Sequence, residues 1–323
     1  MATIATPVGM NAYIPLLNEI TGFWVSRAIT ATVQLGIPDA LGDQAVPVDQ
    51  LVAKLGLNAG ATARFLKGLT GIGIVTESQK GVYKLTTLGL MLRSDVSGSL
   101  SELTKYFNEP WQYAAWKSLD YSVKTGTPAF EKEHGLTFGE YLAANPDAAA
   151  LFDSALIELA KLRVPAVVGN YDFTSVKKVV DLSGRGDLLS LIQGYYPRLK
   201  GEVFDLPGAL RQPAGSTIAI PDSDAYLLAN TACGQPDQTV SRIYTTLGQK
   251  GVGTKALVME LFLTDDSEDA FAKVLDIQML VMGNGLVRSE TQHTSLLEGA
   301  GFKVDKVIRT ELPVGIIEAT FRG

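Results

Sequence analysis

A chain of 323 residues, 46% hydrophobic and 19% charged, holds enough apolar material for two cored domains and is not the composition of a disordered protein. Its net charge of −6 argues against a nucleic-acid partner, and its single cysteine, Cys233, excludes an intramolecular disulfide framework and fits a reducing cytoplasm. The N-terminus lacks the basic and apolar regions of a secretory signal, no run reaches the ~18 apolar residues of a membrane span, and two histidines without paired spacing leave no metal site. A cytoplasmic protein without membrane or metal partners is the expectation.

Residues 14–41 place Ile14, Leu17, Ile20, Trp24, Ala28, Val33 and Leu35 at three- and four-residue steps, which predicts one or two helices with an apolar face wider than a monomer can cover. Residues 47–94 read as helix, turn, helix and a two-stranded wing around Gln79–Lys80–Gly81. The second of these helices carries Arg64 and Lys67 but no basic row, so a dimerisation module is expected rather than a DNA reader. Residues 101–160 read as helices, with Trp116 as core and His134 as either a structural or a substrate-facing side chain. A hinge is placed near 160–175.

From Lys177 to Pro207, Val179–Val180 end in Asp181 and run into the turn Ser183–Gly184–Arg185–Gly186. Leu188, Leu189, Leu191 and Ile192 follow at helical spacing, and a short strand, Val203–Phe204, ends in Asp205. Strand, glycine turn, helix, strand, and a carboxylate about twenty residues past the turn is the sequence form of a nucleotide-binding unit. Glycines let the backbone approach the ligand, a helix N-terminus offers free N–H groups, and the second acid can accept from both ribose hydroxyls. Farther on, DAYLLANTAC (224–233) and KALVMELFL (255–263) read as strands, the latter interrupted by Glu260, whose burial is costly unless it is partnered or protonated. His293 is expected to be structural, and the C-terminus reads as two closing strands.

VVDLSGRGDLL…FDLP resembles the VVDVGGGxGxLL…xDLP signature of the S-adenosylmethionine-dependent small-molecule O-methyltransferases of the plant and bacterial type. The likeness continues through YKLTTLG, DAYLLANTAC and the segment LDIQMLVMGNGLVRSETQHTSLLEGAGF. It implies an α/β fold, with a Rossmann-like methyltransferase core over 101–323 and a helical lid at 101–170. Ahead of it, residues 1–100 would form an all-helical/winged-helix dimerisation domain, and the protein would be a homodimer. By the same resemblance Asp181, Gly184, Gly186 and Asp205 are cofactor positions, and His134, Met279 and Asn284 lie against the substrate. Glu260 and Glu290 would be acids flanking a histidine base.

Several positions depart from the pattern. Leu156 and Ala160 stand where a methionine and a serine touch the cofactor, the turn after Asp181 is one residue short, and Arg185 replaces a small residue. Residues 206–222 leave roughly half the length that a helix, a strand and an adenine-gripping loop require. Cys233 takes the place of the base, and a buried thiol with an intrinsic pKa near ~8.5 stays protonated where an imidazole near ~6.5 accepts a proton. Cys233 reads as a small buried hydrophobe or a nucleophile. Together these departures predict a scaffold that has abandoned methyl transfer and needs no cofactor, its four cofactor residues vestigial. Glu260 and Glu290, facing each other across an apolar cavity, would catalyse cyclisation, dehydration or decarboxylation of an aromatic keto acid, with Arg185 on the substrate carboxylate. A repurposed relative for comparison is the scytonemin-pathway cyclase, which acts on an indole keto acid. The alternatives are an S-adenosylmethionine-dependent O-methyltransferase of a small aromatic substrate and a non-catalytic binding subunit.

Overall fold

The computed structural model describes residues 13–211, 218–263, 270–312 and 314–323. The chain divides into two compact units, Met1–Pro110 and Trp111–Gly323. The expected hinge near 160–175 therefore falls inside the second unit, much of it within one helix, Pro146–Asn170.

In the first unit, β1 (Val46–Pro47), β2 (Val75–Gln79) and β3 (Val82–Leu85) form an antiparallel sheet in the order β1–β3–β2. The β2–β3 hairpin is the wing, and β1 adds a third strand too short to carry a readable period. Helices Val48–Leu55 and Ala59–Gly71 precede it; Asn58 caps the second, its side chain accepting from the Ala61 N–H at 2.9 Å. Leu51, Leu66 and Leu69 turn inward onto Ile37, Leu41, Tyr83 and Leu85. Gly89 is obligatory, since a Cβ there would lie 2.1 Å from the Ile74 carbonyl oxygen. Helix Gly22–Gln34 buries part of its apolar surface through Ala28, Ile29 and Val33, whereas helix Tyr13–Ile20 is exposed along its length, and Ile14, Leu17, Phe23 and Trp24 stay exposed.

The second unit is built on a six-stranded sheet of β4 (Lys178–Asp181), β5 (Lys200–Val203), β6 (Ala225–Ala229), β7 (Lys255–Glu260), β8 (Phe302–Arg309) and β9 (Gly315–Phe321). Their order is β5–β4–β6–β7–β9–β8. The first four are parallel, and β9 pairs antiparallel with both β7 and β8. Side chains alternate between two faces as strand geometry requires. Val180, Tyr226, Leu228, Ala256 and Val258 pack with Tyr244, Leu247 and Leu297 of helices Asp237–Gly248 and Glu290–Gly299. Val179, Leu227, Leu257 and Met259 pack with Val164, Val167, Leu189 and Ile192 of helices Pro146–Asn170 and Asp187–Tyr195. The two-residue period puts Glu260 in phase with Val258, on the Tyr244 side.

Between β5 and β6 the described residues hold one short helix, Leu206–Ala209, and no strand. β5 is thus the sheet edge among the described residues, and all four of its residues are exposed. It ends at Val203, so the predicted strand Val203–Phe204 marks only its last residue.

Candidate active site

The carboxyl ends of the parallel strands gather the sequence-predicted residues. After β4, the Asp181 carboxylate is buried and accepts from the Ser183 N–H at 2.8 Å; burial holds its pKa above the ordinary carboxylate value. Gly184 and Gly186 adopt φ of 79° and 76°. A Cβ on Gly184 would stand 2.7 Å from Cβ of Asp205, and one on Gly186 would stand 2.6 Å from Val203 Cγ2, so this turn closes tightly onto the end of β5. Asp205 caps helix Leu206–Ala209, with Oδ1 accepting from the Gly208 N–H at 2.7 Å, while about half of its side chain remains exposed.

Arg185 is already committed. Its Nη1 donates to Asp153 Oδ1 at 2.7 Å, its Nε donates to Asp187 Oδ2 at 2.9 Å, and its guanidinium lies 5.8 Å from the Phe152 ring centroid. Two acids satisfy it, so it fastens the glycine turn to helix Pro146–Asn170 instead of standing free for a substrate carboxylate.

Residues 230–237, after β6, form the centre of the site. Asn230 takes a positive φ of 50°, a conformation asparagine tolerates, and its Oδ1 accepts from Arg163 Nη1. The Ala232 N–H donates to Glu260 Oε1 at 2.7 Å, and the Cys233 carbonyl accepts from the Leu286 N–H at 2.9 Å. Gly285 permits that contact, because a Cβ there would come 2.4 Å from the Cys233 oxygen. Arg288, 1% exposed, pins the whole segment: Nη1 donates to the Ala232 carbonyl at 2.7 Å and Nη2 to the Gln235 carbonyl at 2.8 Å. Its Nε and Nη2 both reach Asp237 Oδ1, at 2.8 and 2.7 Å. Sequence reasoning passed over Arg288, Arg163, Asn230 and Gly285. Arg288 lies in the motif stretch GLVRSE, but three of its partners, Ala232, Gln235 and Asp237, are some fifty residues away, which no local pattern reveals.

Glu260 is 1% exposed, and its Oε2 has no hydrogen-bond partner among the described residues. Burial pushes its pKa up to about 7, against the opposing pull of the Ala232 N–H, Arg163 and Arg288. Burial, then the neighbouring Glu260 charge, pushes the Cys233 thiol up to about 12, so it is neutral. Cys233 packs with Leu261, Ala272, Val287, Leu275 and Met279, which brings two predicted site residues, Cys233 and Met279, into one apolar cluster.

Glu290 does not join them. It opens helix Glu290–Gly299, is only partly buried, and is paired with Arg309 at 3.0 Å. Its carboxylate thus has an opposite charge, not a second acid, as its observed partner. Asn284 is exposed. His134 is half-buried, its Nε2 3.0 Å from the Trp111 carbonyl and its ring 4.3 Å from Phe130, within an aromatic group that includes Tyr141. His293 is buried with Nδ1 lacking a partner among the described residues, and burial followed by the Arg288 charge lowers its pKa to about 4, so it is neutral. Ala160 is buried in the core. Trp116, expected as core, is half-buried and donates its indole N–H to Gln278. Among the described residues no group of three or more His, Cys, Asp or Glu side chains could hold a metal ion, and no helix is long and apolar enough to cross a membrane.

Comparison with known proteins adds the following. Residues 116–303 match a family model described as an O-methyltransferase domain, and residues 17–95 match an O-methyltransferase dimerisation domain. The phenazine O-methyltransferase of Lysobacter antibioticus is 33% identical over 325 residues, covering 94% of this chain and 95% of that protein. The solved structure of LaPhzM superposes with a TM-score of 0.82 at 31% identity, covering 98% of this chain and 100% of the other. Human N-acetylserotonin methyltransferase, in complex with S-adenosylmethionine, has a TM-score of 0.85 at 23% identity over 98% of this chain and 99% of its own, a likeness of fold. These findings overturn the expectation of a cyclase or lyase that has abandoned methyl transfer, because a relative matched over 94% of this chain and 95% of its own length is an O-methyltransferase. They likewise give no support to an enzyme working without a cofactor.

Proposed function

We propose, from the premise that this chain belongs to the O-methyltransferase family with an N-terminal dimerisation domain, that it transfers a methyl group from S-adenosylmethionine to a hydroxyl of a small aromatic substrate. The observation that carries this reading is the end-to-end likeness to a phenazine O-methyltransferase, both domains included.

The residues at the end of β4 and β5 fit the ribose end of such a cofactor. Gly184 and Gly186 keep side chains out of the turn, and the Asp205 carboxylate, half exposed with Oδ1 held by Gly208, retains Oδ2 to accept from a hydroxyl. When bound, S-adenosylmethionine supplies an electrophilic methyl carbon. The chain's own task is to hold the acceptor in line and take its proton, and proximity accounts for much of the acceleration in reactions of this kind. Cys233, neutral and small, forms part of the wall. Glu260 is the proton acceptor, since Oε2 has no hydrogen-bond partner among the described residues and a pKa of about 7 is matched to neutral pH. The exposed apolar side chains Ile14, Leu17, Phe23 and Trp24 pair with those of a second copy, making a homodimer.

Titration calorimetry with S-adenosylmethionine, then incubation with 1-hydroxyphenazine and isotopically labelled methyl donor, tests the reading. Saturable cofactor binding and label in the organic product are expected. Absence of any binding heat at millimolar cofactor would overturn it.

A further inference from the structure

Arg185 holds Asp187 through Nε and Nη2, and Arg288 holds Asp237 through the same two nitrogens. That edge of a guanidinium presents two parallel N–H groups, the geometry that matches a carboxylate. In Arg163 the edge is open. Its Nη1 donates to Asn230 Oδ1, which fixes the guanidinium against the loop after β6. Nε and Nη2 have no hydrogen-bond partner among the described residues, and neither is sealed from solvent.

Arg163 stands on helix Pro146–Asn170 and is partly exposed. Burial lowers its pKa, against the opposing pull of Glu260 and Cys233, but a guanidinium keeps its charge inside a protein. A side chain ringed by enough protein to be desolvated, yet still open to solvent, lies in a concavity. Cys233 meets the same two conditions, being partly exposed while burial raises its thiol pKa. The concavity lies at the carboxyl end of β6, where open α/β sheets bind their ligands. Arg163 and Glu260 feel each other's charge, but no ion pair joins them, so the open edge and the proposed proton acceptor serve one site without cancelling each other.

We infer that the Nε–Nη2 edge of Arg163 binds a carboxylate carried by the aromatic substrate, so that the preferred acceptors are hydroxylated aromatic acids. The ligand gives Arg163 the partner that Asp187 gives Arg185 and Asp237 gives Arg288. Asn230 is the positioning residue that aims the guanidinium. The amino-acid carboxylate of S-adenosylmethionine offers the same chemistry. The substrate is favoured because the charges Arg163 feels are those of Glu260 and Cys233, the groups assigned above to the acceptor hydroxyl and the substrate wall. The inference rests on the aromatic-substrate reading, but it is read by binding without turnover, so either can fail alone.

The test is titration calorimetry of the full chain, alone and with S-adenosylhomocysteine, using 2-hydroxybenzoate, 3-hydroxy-2-naphthoate and the neutral primary amide of each. The native protein should bind at least one acid about 10-fold or more tightly than its amide. In Arg163→Gln that preference should shrink to within about 2-fold with amide binding unaffected. Arg163→Lys keeps the charge without the fork, so it should lose the preference partway, and it reads the same difference if the glutamine variant fails to fold. Both variants should bind S-adenosylmethionine within about 2-fold of the native chain. A native protein that binds neither acid or shows no preference, or a preference that survives in Arg163→Gln, would overturn the inference. A loss of about 10-fold in S-adenosylmethionine affinity in Arg163→Gln, with the acid preference intact, assigns the fork to the cofactor and overturns it equally. A native chain that prefers the acids but binds no S-adenosylmethionine upholds the inference and sinks the methyl-transfer reading.

Discussion

Glu260, the proposed proton acceptor, is a single buried carboxyl whose titration can be read in stability as well as in rate. The carboxyl holds its proton up to about 7 in the folded chain against about 4.5 when exposed. The folded state therefore binds more protons than the unfolded state across that window, and the Glu260 contribution to stability is complete below about 4.5 and lost as pH rises through about 7. Glu260→Gln should accordingly be near neutral for stability at about pH 4 and stabilising by up to about 3 kcal/mol at about pH 8. Denaturant unfolding at the two pH values checks this, and equal effects at both would refute it. In the same variant kcat/KM for the proposed methyl transfer should fall about 10²-fold or more and lose the rise with pH toward about 7 that is expected of the native protein. Arg288 invites a second substitution. Arg288→Met leaves the carbonyls of Ala232 and Gln235 without their donor and should destabilise by about 3 kcal/mol or more, measured by thermal melting. Most of that loss is at the carbonyls, because Asp237 is largely exposed and its pair with Arg288 is screened on one side.

At the scale of elements, the loop after β6 and the loop between helices Ala270–Met282 and Glu290–Gly299 are held by packing that admits no Cβ. Gly285→Ala would drive a methyl into the Cys233 carbonyl and should shift the 283–288 segment away from the 230–237 segment. The expected result is a drop in kcat/KM of about 10-fold or more with a smaller change in melting temperature, since misplacement of positioning groups is felt chiefly in the rate. A normal rate in this variant would show that the two loops do not act together. The elements themselves were largely legible. The β4 strand, the glycine turn and helix Asp187–Tyr195 follow from Val179–Val180, Gly184, Gly186 and the Leu188–Ile192 spacing, because alternation and helical period are local properties. β5 was misplaced because Lys200–Gly201–Glu202 has no apolar alternation to announce an exposed edge strand. The roles of the side chains at these ends were not legible. Arg185 reads as a free cation in one dimension and is bound to Asp153, thirty-two positions away, in three.

At the scale of the whole molecule, the exposed row Ile14, Leu17, Phe23 and Trp24 is apolar surface that a second copy would remove from water. A double substitution, Leu17→Glu with Trp24→Glu, should convert a dimer to a monomer in analytical ultracentrifugation while the circular dichroism spectrum is unchanged; a native protein that sediments as a monomer would refute the assignment. The residues by themselves determined the two-part organisation, the winged module, the nucleotide-type turn and the family, because periodicity, glycine placement and motif spacing are written along the chain. Only the tertiary structure decided that Glu290 is paired with Arg309 and that Arg185 and Arg288 serve as internal ties. Charge pairing and hydrogen-bond satisfaction depend on which side chains meet after folding, and residues dozens of positions apart meet for reasons no local pattern records.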